Sequence, residues 1–225
     1  MKKRLFAALM ALSLSLSLTL LPTAGASYTP NTNVWNKRPE NLTPEQQKRI
    51  LLEWLLMSAG LAPPFEDVPP DSWAYAGVGF VWRAGLMSGV SETSFAPDVP
   101  TNRAMTWTVL ARMRGASTTA EEGQEWYVPG MIWAAQQGLG DGSDPMGEVT
   151  REYLVDMLWK CAGSPLTPAN LNGFSDYQQV SGYALSGMQW AVSTGILQGE
   201  DGRLSPQGGL TRAELAAMVM RFSFL

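Results

Sequence analysis

The sequence predicts an all-α protein: three helix-loop-helix repeats in a pseudo-threefold bundle, with an extra N-terminal helix. Three observations predict it. A pair of glycines with fixed upstream companions recurs three times. Each copy is followed by a polar helix cap, an arginine and an amphipathic run. Apolar residues make up 45% of the 225-residue chain, enough for a packed core.

The N-terminus reads as a targeting segment. Lys2, Lys3 and Arg4 precede an apolar run from Leu5 to Leu21, which Pro22 breaks. Ala24-Gly25-Ala26 then offers the small residues that a signal peptidase accepts, so residues 1–26 are expected to be a signal peptide. An uncleaved anchor is the alternative, although the run is at the short edge of a membrane span. No cysteine follows the small residues, which excludes a lipoprotein anchor. Residues 27–62 form an arm and a helix. The arm, 27–41, is polar; Thr43 then caps a helix with Pro44 at its first position and Glu45 in its first turn. Its apolar run, Ile50, Leu51, Trp54 and Leu55, ends at Gly60 before Pro63-Pro64.

The repeats come next, over 65–115, 123–163 and 174–225. Gly85, Gly138 and Gly195 each have a second glycine four residues on, at 89, 142 and 199. Counting back from the first of each pair, the eighth residue is Gly77, Gly130 or Gly187, and the twelfth is Trp73, Trp126 or Tyr183. The fifth is Phe80, Trp133 or Trp190. This predicts first helices over about 72–84, 127–137 and 181–194, closed by left-handed glycines at 85, 138 and 195. Asn102, Thr150 and Thr211 are the cap types, each followed at once by Arg103, Arg151 or Arg212. Second helices are predicted over about 103–114, 151–162 and 212–222. Their late cations Arg112, Lys160 and Arg221 suit the negative end of the helix dipole. A glycine within a helix costs ~1 kcal/mol relative to alanine, so Gly77, Gly130 and Gly187 point to close helix crossings.

Composition removes whole classes of chemistry. The chain has no histidine, which rules out Ser-His-Asp and Cys-His nucleophilic sites and imidazole-metal centres. One cysteine, Cys161, excludes an intrachain disulfide and a thiolate zinc cluster, and reads as a small core residue. The formal charge is −4, or −7 without residues 1–26, because three cations and no acids leave. A nucleic-acid partner is not expected of so acidic a chain. Asp141, Asp144, Glu148 and Glu152 crowd one unrepeated stretch, without the paired geometry of a glycosidase or the twelve-residue calcium loop. No catalytic residue, cofactor or metal is therefore expected.

Phe65-Glu66-Asp67-Val68 and Phe174-Ser175-Asp176 resemble the opening of an S-layer homology motif. The Gly-(Leu/Ile)-x-x-Gly element, the loops Phe95-Ala96-Pro97 and Leu204-Ser205-Pro206, and Thr211-Arg212-Ala213-Glu214 resemble the same family. Unit one reads Asn102-Arg103-Ala104-Met105 and unit two Thr150-Arg151-Glu152-Tyr153, both without the final acid. Unit two also lacks the Phe-x-Asp opening. The resemblance implies a secreted, non-catalytic cell-wall anchor that binds secondary cell-wall polysaccharide between repeats. In several lineages of the family the sugar carries a pyruvate ketal. By that likeness Arg103, Arg151 and Arg212 would meet its carboxylate.

Charge placement points the same way. A cation in the first turn of a helix typically loses ~0.3–1 kcal/mol to the dipole, a cost that disappears if an anion sits there. Exposed N–H groups and a guanidinium fork would then converge on one carboxylate, with Trp73, Trp126 and Tyr183 offering flat faces to a sugar ring. The alternatives are arginines lying over a neighbouring helix or pairing with an acid, and aromatics that merely pack. Thr211 and Glu214 also fit a reciprocal capping box. Phe80, Trp133 and Trp190 read as core. Two other functions are weighed: a surface adaptor recruiting an unidentified protein through residues 27–62, and, last, a wall-glycan hydrolase.

Overall fold

The computed structural model describes residues 63–167 and 169–225. The signal segment, the arm and the helix expected from Thr43 lie outside the described residues. Six α-helices are described: α1 Tyr75–Arg83, α2 Arg103–Met113, α3 Val128–Gln136, α4 Arg151–Cys161, α5 Leu185–Ser193 and α6 Arg212–Ser223. Among the described residues there are isolated β-bridges but no strand, so the all-α class holds there.

Local chemistry sets the helix ends. Oxygens of Asn102, Thr150 and Thr211 accept from the N–H groups of Met105, Tyr153 and Glu214, at 2.8, 3.3 and 3.2 Å. Glu214 returns the bond to the Thr211 N–H at 2.8 Å, which completes a capping box. Gly85, Gly138 and Gly195 close the first helices at φ 67°, 67° and 68°. Two first helices start later than expected. Ser72 ties up the N–H groups of Ala74 and Tyr75 in a turn before α1. A 3₁₀ turn, Gly182–Ala184, takes the place of the first turn expected in α5.

Burial concentrates on α2, α4 and α6. Trp107, Leu110, Leu154, Met157, Leu158 and Leu215 from these helices are among the largest fully buried side chains. Thr106 and Thr108 enter the core of α2 by donating their hydroxyls to the carbonyls four residues back, Asn102 and Ala104. Of the aromatics expected in the core, Trp190 is buried; Phe80 and Trp133 are half-buried and pack at its edge.

The helices pair across repeats: α1 with α6, α2 with α3, and α4 with α5. Each first helix thus lies on the second helix of the preceding unit, and the first unit takes the helix of the last. The recurring glycines mark these crossings. A Cβ at Gly77 would stand 2.9 Å from the Ala217 Cα, and one at Gly130 2.9 Å from the Thr108 Cα. At Gly187 the nearest backbone, Asp156 Cα, is 3.4 Å away.

Three bridges repeat the same order between loops: Pro100 with Thr211, Glu148 with Asn102, and Gly209 with Thr150. Pro100, Thr101, Glu148, Val149, Gly209, Leu210 and Thr211 line the cavity where they meet. Its volume, about 100 Å³, is below the ~300 Å³ at which ligand pockets usually begin.

Candidate functional site

The site is built where a second helix starts and the next unit's loop arrives. Each loop carries one non-glycine residue in the left-handed region directly before a proline: Ala96 at φ 58°, Asp144 at 48° and Ser205 at 49°. These bends are held by carboxylates. Asp67 accepts from the N–H groups of Phe95 and Ala96 and from the Ser94 hydroxyl, each at 2.8 Å. The buried Asp176 accepts from Leu204 and Ser205 at the same distance. Unit two has no such opening. There Asp141 takes the Ser143 N–H at 2.9 Å and its hydroxyl at 2.6 Å, a local contact one residue before the bend.

Burial is the largest single influence on Asp67 and Asp176 and pushes their carboxyls up. The donors together outweigh it and hold both below the ordinary aspartate value. Asp141 is lowered by the Ser143 hydroxyl first and its N–H second.

Once bent, the loops turn carbonyls towards the neighbouring helix. The N–H groups of Arg103, Arg151 and Arg212 donate to Gly147, Gly208 and Val99. The following N–H groups, of Ala104, Glu152 and Ala213, donate to Pro145, Pro206 and Pro97. With the caps in place, the first three N–H groups of each second helix are engaged. The expectation of exposed N–H groups awaiting an anion is therefore corrected: the adjoining loop supplies the carbonyls that satisfy them.

The three arginines stand in three states. Arg212 is 7% exposed, lies 4.5 Å from the centre of the Phe95 ring, and donates Nε to the Phe95 carbonyl at 2.9 Å. Its Nη2 donates to the Ser88 carbonyl at 2.8 Å. Burial lowers its pKa, and the charge of Asp67 opposes that. Arg151 is ion-paired with Glu214 of the next repeat. Arg103 lies 5.5 Å from the centre of the Tyr153 ring; its Nη1 reaches the Ser143 carbonyl at 3.4 Å, and its buried Nε has no hydrogen-bond partner.

The aromatics Trp73, Trp126 and Tyr183 are exposed, at 56, 44 and 55%. Trp126 meets Tyr127 edge-on at 5.6 Å. Tyr183 is tied to α4. Burial, then the charge of Glu152 and a hydrogen bond to it, push its hydroxyl well above the usual tyrosine value. Glu152 is itself buried and accepts the Ser181 N–H at 3.0 Å. The structure thus joins Tyr183 to the start of α4, and Arg103 to Tyr153 in that same first turn. Cys161 is half-buried rather than fully in the core, and burial raises its thiol.

The aspartate clamps are what sequence reasoning missed. Phe-x-Asp carried the resemblance, but its carboxylate works on a loop 28 residues later. The useful signal was the pairing of each Phe-x-Asp with a turn ending in proline.

Repeats whose loops interlock and whose helices exchange partners define the class of a repeat-built module. S-layer homology domain is the family description that matches residues 64–104 and 173–216. The chain thus carries S-layer homology sequence in those two segments. The expected middle motif, 123–163, lies outside them. Such domains are surface-anchoring modules and are not catalytic.

The chain is also similar to an amylopullulanase of Thermoanaerobacterium thermosulfurigenes, 26% identical over 172 residues. An exoglucanase XynX of Acetivibrio thermocellus is 25% identical over 172 residues, and an endoglucanase of a Bacillus sp. 23% over 171. Each alignment takes in 69% of this chain but only 9, 16 and 18% of the respective relative. The chain therefore spans under a fifth of the length of these relatives, whose hydrolase names describe far longer proteins. No described helix is long and apolar enough to cross a membrane.

Proposed function

We propose that this protein is secreted and attaches non-covalently to a cell-wall polysaccharide, received between repeats of a pseudo-threefold helical bundle. The contact residues in this reading are Arg103, Arg151 and Arg212 with Trp73, Trp126 and Tyr183. Asn102, Thr150 and Thr211 hold the helix starts between them. One observation carries the reading: three large aromatics at one repeat position are each about half exposed. An exposed indole or phenol face is costly in water and suits the apolar face of a sugar ring. The cyclic pairing of α1–α6, α2–α3 and α4–α5 supports the bundle, and the S-layer homology match supports the wall. Several weak contacts on one frame would raise avidity.

The test is a pull-down with isolated cell walls, before and after acid stripping of their polysaccharide. The full chain is expected to sediment with intact walls and remain in solution with stripped ones. Equal binding to both would overturn the reading.

A further inference from the structure

Helix α1 is enclosed on two sides. Gly77, Val78 and Val81 lie along the side turned to α6 and the core, and all three are buried. At about 100° per residue, Gly79 stands on the other side of the helix, and it is buried too. Among the described residues no helix but α6 pairs with α1 as a principal partner, and α6 crosses at Gly77. The residues of the other first helices that correspond to Gly79 are open: Ile132 is exposed in α3, and Gln189 partly so in α5. A glycine inside a helix costs about 1 kcal/mol relative to alanine, so a second one, two residues after Gly77, calls for its own reason. Around Gly79, Tyr75, Ala76 and Trp82 are half-buried. Ala76 and Gly79 make this face flat, as a closely approaching backbone requires.

The chain ahead of residue 63 has the matching chemistry. Seven of the eight residues 50–57 are apolar, and Glu53 is the one charge among them. A helix apolar over so much of its circumference belongs in a packed setting. Only Leu61 and Ala62 separate Gly60 from Pro63, which limits the distance from Gly60 to Pro63 to about 10 Å. Pro63 is already buried, and two residues on Phe65 meets the ring of Trp82, in the last turn of α1, at 6.1 Å. The chain thus comes in beside α1 and against the body of the protein.

We infer that residues 43–60, read from the sequence as a helix, dock on the face of α1 marked by Gly79, so that α1 is gripped between this segment and α6. The segment is then a strap over the seam where the first repeat meets the last. This inference stands apart from wall attachment.

The experiment is NMR of the isotope-labelled full chain, with Cys161→Ser removing the native thiol and a nitroxide placed on one introduced cysteine. Arg83→Cys puts the label beside this face, and Gln136→Cys puts it at the corresponding place on α3. The first label is expected to broaden the amide signals of residues 50–57, and the second to leave them sharp. Broadening by both alike, or by neither, would overturn the inference. The same broadening in a labelled chain mixed with a separate nitroxide-bearing chain would assign the face to a second copy, and would overturn it too. Gly79→Ile gives α1 the side chain that α3 carries at its open equivalent. It is expected to lower the hydrogen-exchange protection of residues 50–57 by about tenfold or more while α2 and α4 keep theirs. Ile132→Gly is expected to leave that protection unchanged. Undiminished protection of residues 50–57 in a folded Gly79→Ile chain would overturn the inference, and the nitroxide comparison decides it should that variant fail to fold.

Discussion

At Gly77 and Gly130 a methyl group would press on the backbone of the partner helix, whereas at Gly187 it would meet ordinary contact distances. Gly77→Ala and Gly130→Ala should therefore each lose about 1–3 kcal/mol through overpacking. Gly187→Ala should be neutral or gain up to ~1 kcal/mol from helix propensity. Urea unfolding of the three variants measures the contrast; equal losses at all three would mean that the crossings are not what retains these glycines. Arg212 invites a second substitution. Its removal strands the carbonyls of Phe95 and Ser88, so Arg212→Ala should cost about 1–3 kcal/mol in unfolding free energy. Wall-binding assays of that variant need a folding control. The arginine states were not legible in the sequence, because they depend on which residue of another repeat faces each guanidinium. The caps and left-handed glycines were, because each is set within a few residues of itself.

Loops and helices differ in the same way. The second helices begin at the arginines read from the sequence, since cap, first position and apolar run lie side by side. Two of the three loops are shaped by carboxylates about 28 residues away, and the carbonyls of all three are spent on helices of other units, so local pattern says little about them. Their clamps have a pH signature. Asp67 and Asp176 titrate below the ordinary aspartate value in the folded protein. The unfolded chain then binds more protons than the folded one in the window under that value. Stability contributed by the clamps is complete above it and is lost as pH falls through the lowered folded values. Denaturation midpoints measured from pH 2 to 7 should fall on the acid side, and the fall should be shallower in Asp67→Asn and Asp176→Asn. At neutral pH Asp176→Asn should lower the midpoint more, because Asp176 is buried and Asp67 is exposed. An acid limb unchanged by both substitutions would place the titration elsewhere.

For the whole molecule, the order of helix pairing matters more than any one pair. The chain runs α1 to α6, but the packing joins α2 to α3, α4 to α5 and α6 back to α1. No unit keeps its own two helices together as a principal pair. Removing residues 174–225 would strip α1 and α4 of their partners at once. That truncation should abolish cooperative thermal unfolding rather than leave a stable two-unit remnant; a sharp transition in the truncated chain would contradict it. The three-copy pattern was legible because it is written in fixed spacings. The exchange of partners was not, since identical spacings suit helices that fold back within a unit.

That exchange bears on how the protein takes a mechanical load. Tension applied between residues 63 and 225 reaches the α1–α6 pair first. There Gly77 lies against Ala217, and the rings of Phe80 and Phe224 stand 5.3 Å apart. The pair works as the clasp of a belt: while it holds, the force bypasses the four helices between, and when it slips they are pulled apart in turn.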